Sequence, residues 1–103
     1  MLTADQQSIN LGNLPYGIPY SFKFILTNRH SEPVTIVSLQ AGCASCTTAV
    51  ASKSVVSPYD TVDVNITFTP GSTGANKKYI NIFYSKGGVA MPQYEVNFTA
   101  AVI

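Results

Sequence analysis

Hydrophobic and polar residues alternate along three stretches of the chain, with the two-residue period of a β-strand. The stretches cover residues 20–26, 62–69 and 94–102, and in the second one valine, isoleucine and phenylalanine alternate with polar residues without interruption. Because successive side chains of a strand point to opposite faces, each stretch has one face for a core and one for water. The pattern is typical of antiparallel β-sheet.

Three shorter apolar runs lie between these stretches, at residues 34–39, 54–56 and 79–84. No window of ten residues shows apolar residues at the i, i+3, i+4 spacing of an amphipathic helix. We therefore predict further strands at these runs and essentially no helix.

Clusters of turn-forming residues separate the predicted strands. They occur at residues 28–33, 57–60, 70–74 and 86–92. About seven short strands with a turn roughly every ten residues predict an all-β fold, an Ig-like antiparallel β-sandwich. We expect one such domain over residues 1–103, with residues 1–13 forming either an N-terminal arm or the first strand.

The composition restricts the class of partner. The 103 residues carry a net charge of +1, and only 11% of them are charged, against about 25% in ordinary soluble domains. This charge balance excludes the basic footprint of a nucleic-acid-binding protein and suits a surface partly covered by other protein subunits, of the same or a different chain.

Neither a membrane-spanning segment nor a signal peptide is visible in the sequence. No apolar stretch reaches the length of a membrane span, and residues 1–7 lack the basic and apolar regions of a secretory signal. We expect no membrane insertion, and either that a signal has been removed or that the chain works where it is made.

Two segments carry a family pattern. Phe-Lys-Phe-Ile-Leu-Thr-Asn at residues 22–28 is followed by Glu-Pro-Val-Thr-Ile at residues 32–36. This order resembles the opening of bacterial Ig-like domains of unknown function, which are related to the ASH and major-sperm-protein (MSP) sandwiches. The resemblance implies the sandwich fold and membership of a family of mostly extracellular or envelope-associated modules without known catalysis.

The second half of the resemblance contains two departures from the family pattern. The family has a Cys-Gly-Cys-Thr loop after its third strand, where this chain has Gly42-Cys43-Ala44-Ser45-Cys46-Thr47. The two cysteines are thus separated by two residues rather than one. Further on, Tyr59 follows Pro58 where the family usually has glycine.

Cys43 and Cys46 are the motif with the most chemical specificity, and three interpretations of them differ in what else they require. A redox pair needs a helix N-terminus to lower the pKa of a thiol, and the following residues are typical of a strand. A zinc site needs further ligands, and the chain adds only His30 unless a second subunit contributes. We therefore favour a local disulfide or a structural thiol pair, with no metal and no cofactor, and expect His30 to face solvent in a turn.

Four tyrosines flank predicted turns or strand ends, where an aromatic side chain can anchor a partner protein. They are Tyr16, Tyr20, Tyr59 and Tyr84. We regard them as candidate partner contacts.

The sequence predicts a non-catalytic structural or interaction module rather than an enzyme. Our first interpretation is a subunit of a larger protein assembly, in particular a phage virion component of the capsid-decoration or tail type. The alternative is an envelope or cell-surface adhesion module cut from a longer secreted chain. A metal or redox module built on Cys43 and Cys46 is the third hypothesis. A virion or an extracellular or envelope surface is favoured over the free cytoplasm.

Overall fold

The fold is a two-sheet β-sandwich. A computed structural model describes residues 2–42 and 46–103. Within these residues there are ten strands and no helix, which confirms the predicted all-β class. The strands are β1 (Leu2–Ala4), β2 (Ser8–Leu14), β3 (Tyr20–Asn28), β4 (Val34–Ala41), β5 (Thr47–Ala51), β6 (Val55–Val56), β7 (Thr61–Phe68), β8 (Gly74–Lys86), β9 (Val89–Ala90) and β10 (Tyr94–Val102).

The strands form two sheets that face each other. The first sheet has the order β1-β3-β7-β5, and the second has the order β2-β10-β8-β4-β6, with β9 pairing to β8. All pairings are antiparallel except that of β2 with β10, which is parallel. The strands predicted at residues 20–26, 34–39, 54–56, 62–69, 79–84 and 94–102 lie in β3, β4, β6, β7, β8 and β10. The further strands β1 and β9 have only three and two residues, too few for the alternation of hydrophobic and polar residues to show.

The alternating residues found in the sequence form the core. In the pairing of β3 with β7, Phe24 lies opposite Val64 and Phe22 opposite Ile66, so the hydrophobic faces of both strands point to the same side. The rings of Phe22 and Phe68 each contact Phe98 of the opposite sheet, with centroids 5.2 and 5.1 Å apart. Burial of these apolar faces between the sheets is the main source of stability.

The N-terminal segment crosses from one sheet to the other. Leu2 in β1 is only 2% exposed, and the chain turns at Asp5, whose carboxylate accepts a hydrogen bond from the backbone NH of Ile25 at 2.9 Å. The chain then continues as β2 beside β10. Of the two alternatives predicted for residues 1–13, the structure therefore shows strands and not an arm over residues 2–4 and 8–13.

Asn28 holds together the loops at one end of the sandwich. Its buried side-chain amide donates to the backbone carbonyls of Glu32, Val56 and Ser57 at 2.9, 3.1 and 3.2 Å, and its Oδ1 accepts from the NH of His30 at 2.9 Å. A buried amide with this many partners explains why the pattern at residues 22–28 ends in asparagine.

Tyr59 occupies a turn that favours glycine. The NH of Asp60 donates to the carbonyl of Ser57 at 3.1 Å, with Pro58 in the second position of the turn. Tyr59, in the third position, has a φ of 61° and is the only non-glycine residue with a positive φ among the described residues. A positive φ at this position is typical of a type II turn, which explains the usual glycine.

Candidate interaction site at the β4–β5 edge

One side of the sandwich presents two strand edges that lack a full neighbour. β5 is the last strand of its sheet, and β6 pairs with β4 only at Val34 and Thr35. Beyond Ile36, whose NH donates to the carbonyl of Ser54 at 2.7 Å, the end of β4 and the start of β5 border the same groove. We refer to residues 39–41 and 47–51 as the β4–β5 edge.

The hydrogen-bonding direction of β5 follows from bonds at its two ends. The carbonyl of Cys46 accepts from the NH of Thr69 at 2.7 Å, and the NH of Ser52 donates to the carbonyl of Asp63 at 2.8 Å. Both residues thus direct backbone groups toward β7. Since this direction alternates along an antiparallel strand, every second residue between them directs its NH and C=O outward. These residues are Thr47, Ala49 and Ala51.

The same reasoning applies to β4. The NH of Gly42 donates to the carbonyl of Tyr79 on β8 at 3.0 Å, so the alternation directs the backbone groups of Leu39 and Ala41 away from β8. The side chains of Leu39 and Ala41 are half-buried and pack against the core. This part of β4 therefore has a free backbone edge above an apolar inner face.

A groove of about 370 Å³ lies between the two strands. Its lining residues are Leu39, Gln40, Ala41, Thr47, Thr48 and Ala49. None of these described lining residues is charged, and the apolar ones continue directly into the core. The groove can therefore receive apolar side chains, and the adjacent backbone can form hydrogen bonds.

The other described strand edges are shorter or irregular. β1 has three residues and β6 two. β2 is longer, but it contains a bulge at Gly12, which has a φ of 74° and donates its NH to Oδ1 of Asn10 at 2.9 Å. Short strands and bulges are the usual means by which proteins protect sheet edges from pairing. The β4–β5 edge lacks both over the part that borders the groove.

The four tyrosines proposed as partner contacts do not form one surface. Tyr16 and Tyr20 are exposed at the end of the sandwich where β3 begins, and Tyr59 is 68% exposed at the opposite end. The prediction for Tyr84 is wrong, because this residue is only 7% exposed. It lies on the same face of β8 as Ile82, and strand alternation therefore directs its ring into the core.

Sequence reasoning missed the β4–β5 edge as a specific site. The sequence indicated that open edges could accept a strand, but the free edge depends on β6 ending after two residues. No residue type in β4 or β5 signals this. The only local signal was the lack of charged residues from position 34 to position 52.

The cysteine loop is described only in part. Cys46 is disulfide-bonded, half-buried and packed against the core. Cys43 lies outside the described residues, and its pairing with Cys46 stays a prediction. Among the described residues, no three His, Cys, Asp or Glu side chains cluster closely enough to hold a metal ion.

His30 is not the solvent-facing residue that we expected from its turn. Its side chain is half-buried, its Nε2 is buried without a hydrogen-bond partner among the described residues, and its ring centroid lies 6.5 Å from that of Tyr84. Burial lowers the pKa of His30, nearby Lys86 lowers it further, and Glu32 opposes the shift. The turn chemistry was visible in the sequence, but the packing against β8 was not.

Two exposed ion pairs are present among the described residues, one on the first sheet and one between turns beside it. Lys53 contacts Asp60 at 2.8 Å, and Lys23 contacts Asp63 at 3.4 Å. The hydrogen bond from Lys53 lowers the pKa of Asp60, together with one from the NH of Thr61. Exposed pairs of this kind contribute little to stability, and neither pair borders the groove.

A comparison with known protein families identifies the family of this chain. The sequence matches, over residues 2–102, the family described as protein of unknown function (DUF1573). The chain belongs to this family. No curated protein matches its sequence.

Solved structures similar to this DUF1573 domain confirm the fold. The VesB protease of Vibrio cholerae superposes with a TM-score of 0.80 at 16% identity, over 97% of this chain and 31% of that one. SSP-19, an MSP-domain protein like family member of Caenorhabditis elegans, gives 0.77 at 14% identity, over 96% and 98% of the two chains. The ASH/PapD-like domain of human CEP192 gives 0.71 at 11% identity, over 99% and 84%.

These similarities establish architecture only, because the identities are low and this chain spans less than a third of VesB. They confirm the predicted relation to MSP and ASH sandwiches. The DUF1573 chain is thus a β-sandwich domain of a family whose function is unknown. No helix among its described residues is long and apolar enough to cross a membrane.

Proposed function

We propose that this domain is a non-catalytic interaction module that binds an extended segment of another protein along the β4–β5 edge. The observation that supports this most strongly is the outward direction of the backbone groups of Thr47, Ala49 and Ala51 beside an uncharged, partly apolar groove. A peptide added to a sheet edge gains affinity from main-chain hydrogen bonds and specificity from pockets for alternate side chains.

The chemistry of the groove supports binding rather than catalysis. The described residues of its lining contain no carboxylate, imidazole, amine or thiol, and these are the groups that serve most often as general acids, bases or nucleophiles. The hydroxyls of Thr47 and Thr48 have no titratable lining residue beside them to act as a base. An apolar groove with a free strand edge instead has the parts that recognition of a strand requires.

Two of the biological roles predicted from the sequence require a contact of this type with another protein. A virion subunit of the capsid-decoration or tail type and an envelope or cell-surface adhesion module both bind neighbouring proteins. The structural similarities concern the fold alone and favour neither role. The proposal therefore specifies the mode of binding, and the two roles stay predictions.

A selection from a displayed library of random twelve-residue peptides on the immobilised domain tests this function. We expect enriched peptides to bind the wild-type domain and to lose binding to the Ala49→Pro variant, because proline removes the outward NH at the centre of β5. Edge strands tolerate proline at such a position, since the ladder with β7 does not use this NH.

The Ala49→Ser variant is the matched control, because it keeps the NH and nearly the size of the side chain. Thermal unfolding of all three proteins verifies that each is folded. Peptides that bind Ala49→Pro as tightly as the wild type, or a selection that enriches no peptide, would refute the proposed function.

A further inference from the structure

The chemistry of the segment that fits the edge follows from the direction of the β5 side chains. Thr47 is buried and Ala49 and Ala51 are half-buried, so these three side chains point to the inner face, whereas Thr48 and Val50 point to the outer one. Residues directly opposite each other in paired strands project to the same face. A bound residue opposite Ala49 therefore projects over the groove, and so do the residues two positions before and after it.

The groove determines which side chains suit these positions. Leu39, Ala41 and Ala49 contribute its apolar part, and none of its described lining residues is charged. A charged side chain placed there would lose water without meeting an opposite charge among these residues, which is unfavourable. Aliphatic side chains would instead bury apolar surface against residues that already contact the core.

The outer face imposes a weaker demand. Bound residues between the inward ones would lie beside Thr48 and Val50, and Val50 is 63% exposed. The β5 residues that a bound strand would meet on this face are uncharged. Small polar or β-branched residues therefore suit the outward positions, as in an ordinary strand at the edge of a sheet.

Neither this chain's own N-terminal segment nor a second copy fills the groove well. Residues 2–4 and 8–14 already pair within their own sandwich. A second β5 would bring only Thr47, Ala49 and Ala51 to the inner face, and these side chains are already buried or half-buried in their own domain. The groove between the two strands would stay largely empty, and unfilled space beside apolar residues forfeits packing energy.

We infer that the occupant of the β4–β5 edge is an uncharged, extended segment of a different protein with aliphatic residues at alternate positions. This inference rests on the proposed function and adds the side-chain pattern of the partner to it. In this arrangement, the backbone of the bound segment pairs with β5. Two of its aliphatic side chains, separated by one small polar residue, enter the groove.

Two synthetic peptides of identical composition test the pattern. Both consist of serine and threonine with two valines and a fluorescent label; one has the valines at positions i and i+2, the other at i and i+1. In the second peptide, one valine points to the outer face when the other enters the groove. Fluorescence anisotropy is expected to show binding of the first peptide that is stronger by about tenfold.

Two variants connect the binding to the site. Ala41→Leu fills the groove from β4 without changing the backbone of β5. It is expected to weaken binding of the first peptide by about tenfold, so that the two valine peptides bind with similar affinity. Ala49→Pro is expected to abolish binding of both. A third peptide with lysine in place of both valines is expected not to bind.

The outcomes separate the two proposals. If both valine peptides bind the wild type with equal affinity and neither binds Ala49→Pro, the inferred side-chain pattern is wrong, whereas the proposed binding of a strand to the β4–β5 edge is retained. If binding survives Ala49→Pro, or if no peptide binds, both the inferred pattern and its basis in edge binding are refuted. A dimer of the free domain that native mass spectrometry detects, and that Ala49→Pro removes, would show that a second copy is the occupant instead.

Discussion

The side-chain nitrogen of Asn28 lies 3.1 Å from the carbonyl oxygen of Val56, and this hydrogen bond joins strands of different sheets. Asn28 ends β3 in the first sheet, and Val56 ends β6 in the second. Both residues are fully buried. The bond therefore connects the two sheets at the end of the sandwich where these loops meet.

Replacement of Asn28 by alanine is expected to destabilise the domain by about 2–4 kcal/mol. It leaves one buried backbone carbonyl and three half-buried backbone groups without this partner. Urea denaturation at neutral pH measures the change. Asn76→Ala is the matched control: Asn76 is also buried, but its amide bonds only within its own turn, to Ser72 and Gly74. An equal decrease in the free energy of unfolding in the two variants would contradict the role of Asn28 in connecting the two sheets.

Replacement of Tyr59 by glycine is expected to stabilise the domain by about 0.5–1 kcal/mol. A positive φ costs a non-glycine residue about 1–2 kcal/mol, and the greater freedom of glycine in the unfolded chain offsets part of the gain. The exposed ring contributes little packing that could be lost. Thermal unfolding of Tyr59→Gly and of Tyr59→Ala tests this, since alanine keeps the strain and should not increase the melting temperature.

Deletion of residues 1–7 is expected to destabilise the monomer by at least about 2 kcal/mol, because it removes the buried side chain of Leu2 from the core. It also removes the NH of Ala4, which donates to the hydroxyl of Tyr94 at 3.1 Å. Denaturant unfolding of the deletion variant and of Leu2→Ala measures the effect. Unchanged stability in both would show that β1 is dispensable, as a free arm would be.

Acidification below about pH 6.5 is expected to destabilise the domain through His30. Burial holds the pKa of the folded His30 below its usual value of 6.5, so the unfolded chain binds more protons in the interval between the two values. Stability is therefore complete above pH 6.5, decreases as the pH falls, and levels off below the folded pKa.

Urea midpoints at pH 7.5, 6.5 and 5.5 measure this dependence. The His30→Asn variant should reduce it, since it keeps a polar side chain that does not titrate. The same dependence in both proteins would assign the effect to other groups.

The sequence predicted the sandwich because its strands are amphipathic. The faultless alternation at residues 62–69 became β7, and the turn residues Ser57-Pro58-Tyr59-Asp60 lie where β7 is preceded by a hydrogen-bonded turn. Both signals are local. They depend on strand geometry and turn chemistry, which neighbouring residues determine among themselves.

The sequence-based predictions failed where contacts between distant parts of the chain determine whether a residue or an edge is exposed. Tyr84 was assigned to the surface because it lies near a turn, whereas its position on β8 relative to Ile80 and Ile82 directs it inward. The N-terminal residues are polar enough for an arm, yet the buried side chain of Leu2 and the pairing of β1 with β3 hold this segment in the sandwich. The β4–β5 edge could not be predicted either, because an edge is free or covered only by virtue of strands from elsewhere in the chain.

The parallel pairing of β2 with β10 has a mechanical consequence. The two strands lie side by side near opposite ends of the chain, with bonds from Asn97 to Gln7 at one end of the pair and from Ile103 to Leu14 at the other. A pulling force on the two termini would act along both strands in opposite directions, so their hydrogen bonds would be loaded in shear and would have to break together. A domain pulled between its two termini would therefore resist the tension through all the hydrogen bonds of β2 with β10 at once.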